Sequence, residues 1–151
     1  MIVRPARADD AGAMARLRWE FRSAVGQPEE TAEVFLERCH QWMSERLAGG
    51  GLWRGWVAEE GGEIVGTIWL QLIEKLPNPG TEPERHAYVS SVYVRPALRG
   101  KGTGSALLSA ALDACRGLEV DAVILWPTQE SRSLYARHGF AVRDDLMERR
   151  Q

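Results

Sequence analysis

The chain has little of what would take it out of the ordinary globular class. It carries only two cysteines, Cys39 and Cys115, without C-x-x-C spacing. No disulfide framework is expected, and both read as buried, reduced thiols inside helices, which suits a cytoplasmic protein. No stretch approaches the ~18 apolar residues of a membrane span. The opening Met1-Ile2-Val3-Arg4-Pro5 has no apolar leader core, so neither a membrane partner nor secretion is expected. There is no excess of positive charge: the net charge is −2, which argues against a nucleic-acid partner. There is also no internal repeat, low-complexity tract or linker, so residues 1–151 are expected to form one domain. At that length folding buries roughly 70% of the unfolded surface, and no covalent staple is needed. Tryptophan is plentiful instead, at six residues; core packing is the default role, with lining of a site as the alternative.

The apolar pattern lays out the elements. Ile2–Arg4 reads as a short strand. Asp9 or Asp10 is expected to cap a helix with Met14, Leu17 and Phe21 inward, broken at Val25-Gly26-Gln27-Pro28. A second helix begins near Thr31, carries the stripe Phe35, Cys39, Trp42 and Met43, and stops at Gly49-Gly50-Gly51. Strands follow over Trp53–Glu59, Glu63–Ile73 and His86–Val94, the first two joined by a Gly61-Gly62 hairpin. On the third, alternation puts Val89, Ser91 and Tyr93 on one face and Ser90, Val92 and Val94 on the other. A helix with Leu107, Leu108, Ala111, Ala114, Cys115 and Leu118 inward leads to Val120–Trp126, a near-continuous apolar run expected to be a strand buried on both faces. Glu130–Arg137 reads as a short helix, and Phe140–Arg143 and Leu146–Arg149 as possible short strands. The order β-α-α-β-β-β-α-β-α-β makes an α+β fold, a single sheet with helices on both faces.

The most informative segment is Arg99-Gly100-Lys101-Gly102-Thr103-Gly104-Ser105, between a strand and a helix. The glycines let the backbone turn tightly and approach a ligand. The N–H groups of Gly102, Gly104 and Ser105, at the positive end of a helix dipole, then suit phosphate oxygens, with Arg99 and Lys101 adding charge. The spacing fits neither the Walker pattern nor the dinucleotide fingerprint, in which Ser105 would have to be glycine. It does fit Arg/Gln-x-x-Gly-x-Gly/Ala.

That turn, with Val92-Tyr93-Val94-Arg95-Pro96 before it and Ala106-Leu107-Leu108 after it, resembles the cofactor segment of the GNAT acyltransferase superfamily. Ser133-Leu134-Tyr135-Ala136-Arg137-His138-Gly139-Phe140 resembles the same family's Leu-Tyr-x-x-x-Gly-Phe ending, at the family's usual separation. The resemblance spans nearly the whole chain. It implies a mostly antiparallel, mixed and partly splayed sheet, acetyl-CoA or another acyl-CoA as co-substrate, no metal, and direct acyl transfer to an amine. The pantetheine arm would lie between the strands His86–Val94 and Val120–Trp126, pairing with backbone of Val92 and Val94, and an N–H near Val92 or Tyr93 would polarise the thioester. Tyr135 falls on the family's catalytic tyrosine, the proton donor to the departing thiolate. Thr128 stands where the family often has asparagine; it and Ser131 would cap the short helix or meet the pantetheine.

No glutamate occupies the usual base position, where Ser90 and Ser91 stand. His86, Glu74 or an ordered water chain are the alternatives. The acceptor groove would draw on Trp19, Glu20 and Arg22, on Glu29 and Glu30, and on the Pro77–Arg85 loop. Small amines, aminoglycoside-like compounds, amino acids and protein N-termini all stay open as acceptors. Two other readings stand beside the enzyme: a non-catalytic acyl-CoA-binding module and a nucleotide-phosphate protein. The apolar ending and the tryptophans are compatible with a homodimer.

Overall fold

A computed structural model describes residues 1–151. Five strands form one open sheet in the order β1-β2-β3-β4-β5, with β1 Ile2–Pro5, β2 Trp53–Glu60, β3 Glu63–Glu74, β4 Arg85–Val94 and β5 Ala122–Ile124. The first four run antiparallel, and only β4 and β5 are parallel. Helices α1 Ala11–Val25 and α2 Ala32–Leu47 cover one face, α3 Thr103–Gly117 covers the other, and α4 Arg132–Arg137 follows β5.

Local signals account for most boundaries. Thr31 caps α2 by accepting a hydrogen bond from the Val34 N–H at 3.3 Å. Gly61 and Gly62 turn the β2–β3 hairpin with φ of 59° and 83°, the pair of positive values that a tight hairpin needs. Central β3 is buried from Val65 to Leu70, because both helical layers press on it. On the α3 face, Ile68, Leu70, Leu72, Ala87 and Val89 pack against Leu107, Leu108 and Ala111. On the other face, Val57 and Trp69 meet Met14, Ala15 and Met43.

Several expectations need correction. Asp10 precedes α1 but does not cap it with its side chain. Its carboxylate accepts from the Arg7 N–H at 2.7 Å and from the Arg4 guanidinium at 2.8 and 3.0 Å. Cys39 is only half-buried, whereas Cys115 is buried; both are free thiols. The run Val120–Trp126 yields three paired residues, partly exposed rather than buried on both faces, because β5 is the outermost strand and leaves the sheet after Ile124. No strand forms over Phe140–Arg143 or Leu146–Arg149. Residues 141–151 are exposed throughout, and Arg143–Asp145 and Arg150–Glu148 pair with one another at 2.5 and 3.2 Å. The final β of the expected order is therefore absent.

On β4 the alternation breaks. Thr67 pairs with Tyr93 but Trp69 with Ser90, so a bulge sits at Ser91, whose φ is 54°. Ser90 pairs with Trp69 on the α1/α2 face, and the Ser91 hydroxyl reaches Arg18 of α1. The two serines thus share the face of Tyr93, which stacks on Phe21 at 5.1 Å. Val89, Val92 and Val94 belong to the α3 side.

Candidate active site

The site begins where the sheet opens. The parallel pairing of β4 with β5 covers His86–Ala122, Ala87–Val123 and Tyr88–Ile124, and then stops. From Val89 to Val94, one edge of β4 has no neighbouring strand. The Arg95 N–H donates to the Val65 carbonyl at 3.0 Å, so alternation turns Tyr93 toward β3 and Val92 and Val94 toward the open edge. The Arg99 Nε already donates to the Val94 carbonyl at 2.8 Å, and the Arg99 guanidinium lies 5.4 Å from the Tyr93 ring centre. Arg99 therefore braces the strand end as well as carrying charge there.

The glycine turn lies just beyond Arg99, and its residues 100–105 are not in the lining of the cleft described below. Gly100 and Gly102 hold φ of 77° and 83°, the left-handed region that glycine enters without a side-chain penalty. Gly104 does not: it sits in the first turn of α3 with ordinary helical backbone. A Cβ there would meet nothing nearer than Leu134 Cδ2 at 3.9 Å. The tight-turn role therefore falls to Gly100 and Gly102 alone. The first intrahelical bond runs from the Ala106 N–H to the Gly102 carbonyl at 2.9 Å, so the amides of Thr103, Gly104 and Ser105 have no partner inside the helix. Thr103 is buried and Lys101 exposed. The Ser105 hydroxyl shares a 2.8 Å hydrogen bond with His138 Nε2, which ties the start of α3 to the end of α4.

A cleft of about 1150 Å³ runs along the open edge and on between α1, α2 and the sheet. Val92, Tyr93, Val94, Arg99, Thr128, Ser131 and Tyr135 all line it. Tyr135 is half-buried, its ring edge-on to Phe140 at 5.7 Å. Burial pushes its phenol above the ordinary tyrosine range, so it is protonated at neutral pH. Thr128 and Ser131 bond reciprocally: the Thr128 N–H donates to Ser131 Oγ at 2.9 Å, and the Ser131 N–H to Thr128 Oγ1 at 3.2 Å. These bonds close the turn that precedes α4, but Ser131, the residue at the head of that helix, makes no side-chain bond into it, so the expected cap is not formed.

The remaining sequence candidates lie elsewhere. His86 is outside the cleft, its Nδ1 2.7 Å from Asp121 Oδ1 but poorly aligned for a hydrogen bond. Glu74 sits at the far end of β3, opposite Arg85. Glu20 forms a two-bond ion pair with Arg95 at 3.0 and 3.2 Å. Trp19, Glu29 and Glu30 line a smaller pocket of about 340 Å³ beside the α1–α2 turn, where Trp19 packs on Phe35 and Glu30 pairs with Arg38.

Sequence reasoning missed the far wall of the cleft. Arg18 donates to Ser91 Oγ at 2.8 Å, and burial pulls its pKa below the usual arginine value. Trp42, Trp53 and Trp69 form an edge-to-face cluster with centroids 4.9–6.1 Å apart, and Tyr88 meets Trp126 edge-on at 5.1 Å. Their aromatic character was visible, but not their convergence across elements. In the α1 sequence, nothing set Arg18 apart from Arg16 and Arg22.

Comparison with known proteins gives concordant results. Residues 12–140 match the model of the Acetyltransferase (GNAT) family. The uncharacterized N-acetyltransferase YhfO of Bacillus subtilis is 30% identical, over 93% of this chain and 89% of its own. A GCN5-related N-acetyltransferase from Ralstonia eutropha superposes with a TM-score of 0.79 at 29% identity, covering 98% of this chain and 97% of that one. A predicted acetyltransferase from Clostridium acetobutylicum, solved with acetyl-CoA, has the same fold: TM-score 0.82, 20% identity, 99% and 95% coverage.

Proposed function

Because this chain belongs to the acetyltransferase (GNAT) family, we propose that its cleft takes acetyl-CoA along the open edge of β4 and a primary amine of a small molecule from the α1/α2 side. The protein is an N-acetyltransferase; the roles of its residues are our reading. The observation that carries this reading is the parting of β4 from β5 after Tyr88 and Ile124, which leaves an unpaired strand edge in the cleft that Tyr135 lines.

The residues fit the co-substrate. An unpaired edge takes up an extended amide-bearing chain as a further strand would, and the outward backbone of Val92 and Val94 serves that purpose. The free amides of Thr103, Gly104 and Ser105, with the turn at Gly100 and Gly102 and the charge of Lys101, suit a diphosphate. Bound acetyl-CoA would supply an activated acetyl thioester. The Val92 N–H, turned to the same edge, can hydrogen-bond an oxygen that gains negative charge. Tyr135, held protonated by burial, donates to a departing thiolate.

The cleft lining contains one carboxylate, Glu130, and no histidine. His86 and Glu74 stand apart from it, so the amine proton leaves through water. No metal takes part in this scheme.

The test is calorimetric titration with coenzyme A, together with an amine panel assayed by release of free thiol. Micromolar uptake and amine-dependent thiol release are the expected results. No uptake of coenzyme A at millimolar concentration would overturn the proposal.

A further inference from the structure

The cleft is charged with one sign beyond the cofactor edge. Apart from Glu130 beside Thr128, its charged lining consists of Arg18, Arg22, Arg38 and Arg99. Arg99 is engaged with Val94, and Arg38 is neutralised by Glu30. Glu20, the acidic residue of α1 nearest in sequence, is taken up by Arg95. Arg18 is left half-buried with one hydrogen bond, to the neutral hydroxyl of Ser91. An unpaired guanidinium withdrawn from water is unfavourable unless an anion completes it. Arg22 raises that demand: both guanidiniums lie over the Phe21 ring, at 5.9 and 5.8 Å from its centre, and repel each other.

The backbone is also strained at this contact. Ser91 carries a left-handed φ of 54° in mid-strand, and the bulge is what turns its hydroxyl to Arg18. Ser91 immediately precedes Val92, whose N–H faces the open edge. Arg18 and Val92 line the same cleft, so a carboxylate on Arg18 holds its amine in the space that the thioester also enters. The remaining wall is aromatic, with Phe35, Trp42, Trp53, Trp69 and Tyr88 around a space large enough for a bulky apolar group.

We infer that the acceptor is an α-amino acid with a large apolar side chain, its carboxylate held by Arg18 and its side chain by the tryptophan wall. This rests on the acetyltransferase reading above and moves the acceptor from the expected groove at Glu20, Glu29 and Glu30 to the Arg18 side of the cleft.

The experiment compares L-tryptophan with L-tryptophanamide, and L-phenylalanine with its amide, under saturating acetyl-CoA. The amides have the less basic amines, so intrinsic reactivity at neutral pH favours them, and any preference for the free acid comes from binding. The expected kcat/KM is at least tenfold higher for the acids in the wild-type protein, and Arg18→Gln brings that ratio to about one or below. Equal or better turnover of the amides by the wild type overturns the inference, as does no turnover of either acid by protein that binds coenzyme A. An unchanged ratio in folded Arg18→Gln also overturns it. Absence of coenzyme A binding would instead remove the reading on which the inference rests. The wild-type comparison needs no variant, so it stands even if Arg18→Gln misfolds.

Discussion

Replacing Tyr135 by phenylalanine takes away one oxygen and keeps the ring. The edge-on contact with Phe140 at 5.7 Å is unaffected. Burial alone displaces the phenol's pKa, with no hydrogen bond or nearby charge contributing, so the substitution breaks no polar contact within the protein. Folding stability should therefore change by less than about 1 kcal/mol. Turnover should behave quite differently. A positioned proton donor contributes ~10²–10⁴ in rate, which at 1.36 kcal/mol per tenfold is about 2.7–5.4 kcal/mol of barrier. The co-substrate contacts assigned above lie on β4 and α3, so affinity for coenzyme A should stay close to that of the wild type. The pH profile adds a further check. A raised phenol pKa keeps the donor protonated through the ordinary tyrosine value near ~10, so any alkaline loss due to Tyr135 lies above that value and disappears in the variant. Three measurements suffice: kcat by thiol release at saturating acetyl-CoA, coenzyme A titration by calorimetry, and urea unfolding. A folded Tyr135→Phe protein with wild-type kcat would refute the reasoning.

Two further perturbations test other parts of the structure. Gly102→Ala places a side chain at φ of 83° and should cost about 1 kcal/mol in urea unfolding, with weaker thermal stabilisation by coenzyme A. Gly104→Ala, in ordinary helical backbone with room for a methyl group, should instead keep or raise fold stability by up to about 1 kcal/mol; equal destabilisation by both would contradict the assignment. The Asp10 carboxylate is held below its usual range, chiefly by its hydrogen bonds to Arg4. A lowered folded pKa gives stability that is present above the unfolded value of ~3.9 and is lost as pH falls through the folded value. Asp10→Asn should thus cost about 1.5–3 kcal/mol at neutral pH, a gap that closes on acidification below ~4 in urea titrations at several pH values.

What could be read from the sequence was what neighbouring residues decide among themselves. Thr31 at the head of α2, the Gly61-Gly62 hairpin, the break after Val25 and the turn at Gly100 and Gly102 are all short-range devices, and each is where the pattern put it. Tyr135 and the β4 edge were accessible because a motif carries them. The bulge at Ser91 was not, because a bulge exists only relative to the register of a second strand, here between Thr67 and Trp69. Arg18 and Ser91 are 73 positions apart, and no periodicity links them. The ending misled for the opposite reason. Phe140–Arg143 and Leu146–Arg149 have some strand character, yet a strand also needs a partner edge and apolar area to bury, and this segment is largely charged.

The gap beside β4 has a consequence for handling the protein. Unsatisfied amides on a sheet margin template the addition of foreign strands, the first step toward aggregation. Here the kink at Ser91 and the cation at Arg99 interrupt that margin, and an occupying co-substrate would cover the rest. Preparations kept with coenzyme A should therefore remain clear and monodisperse on concentration and warming longer than those without it, as followed by light scattering.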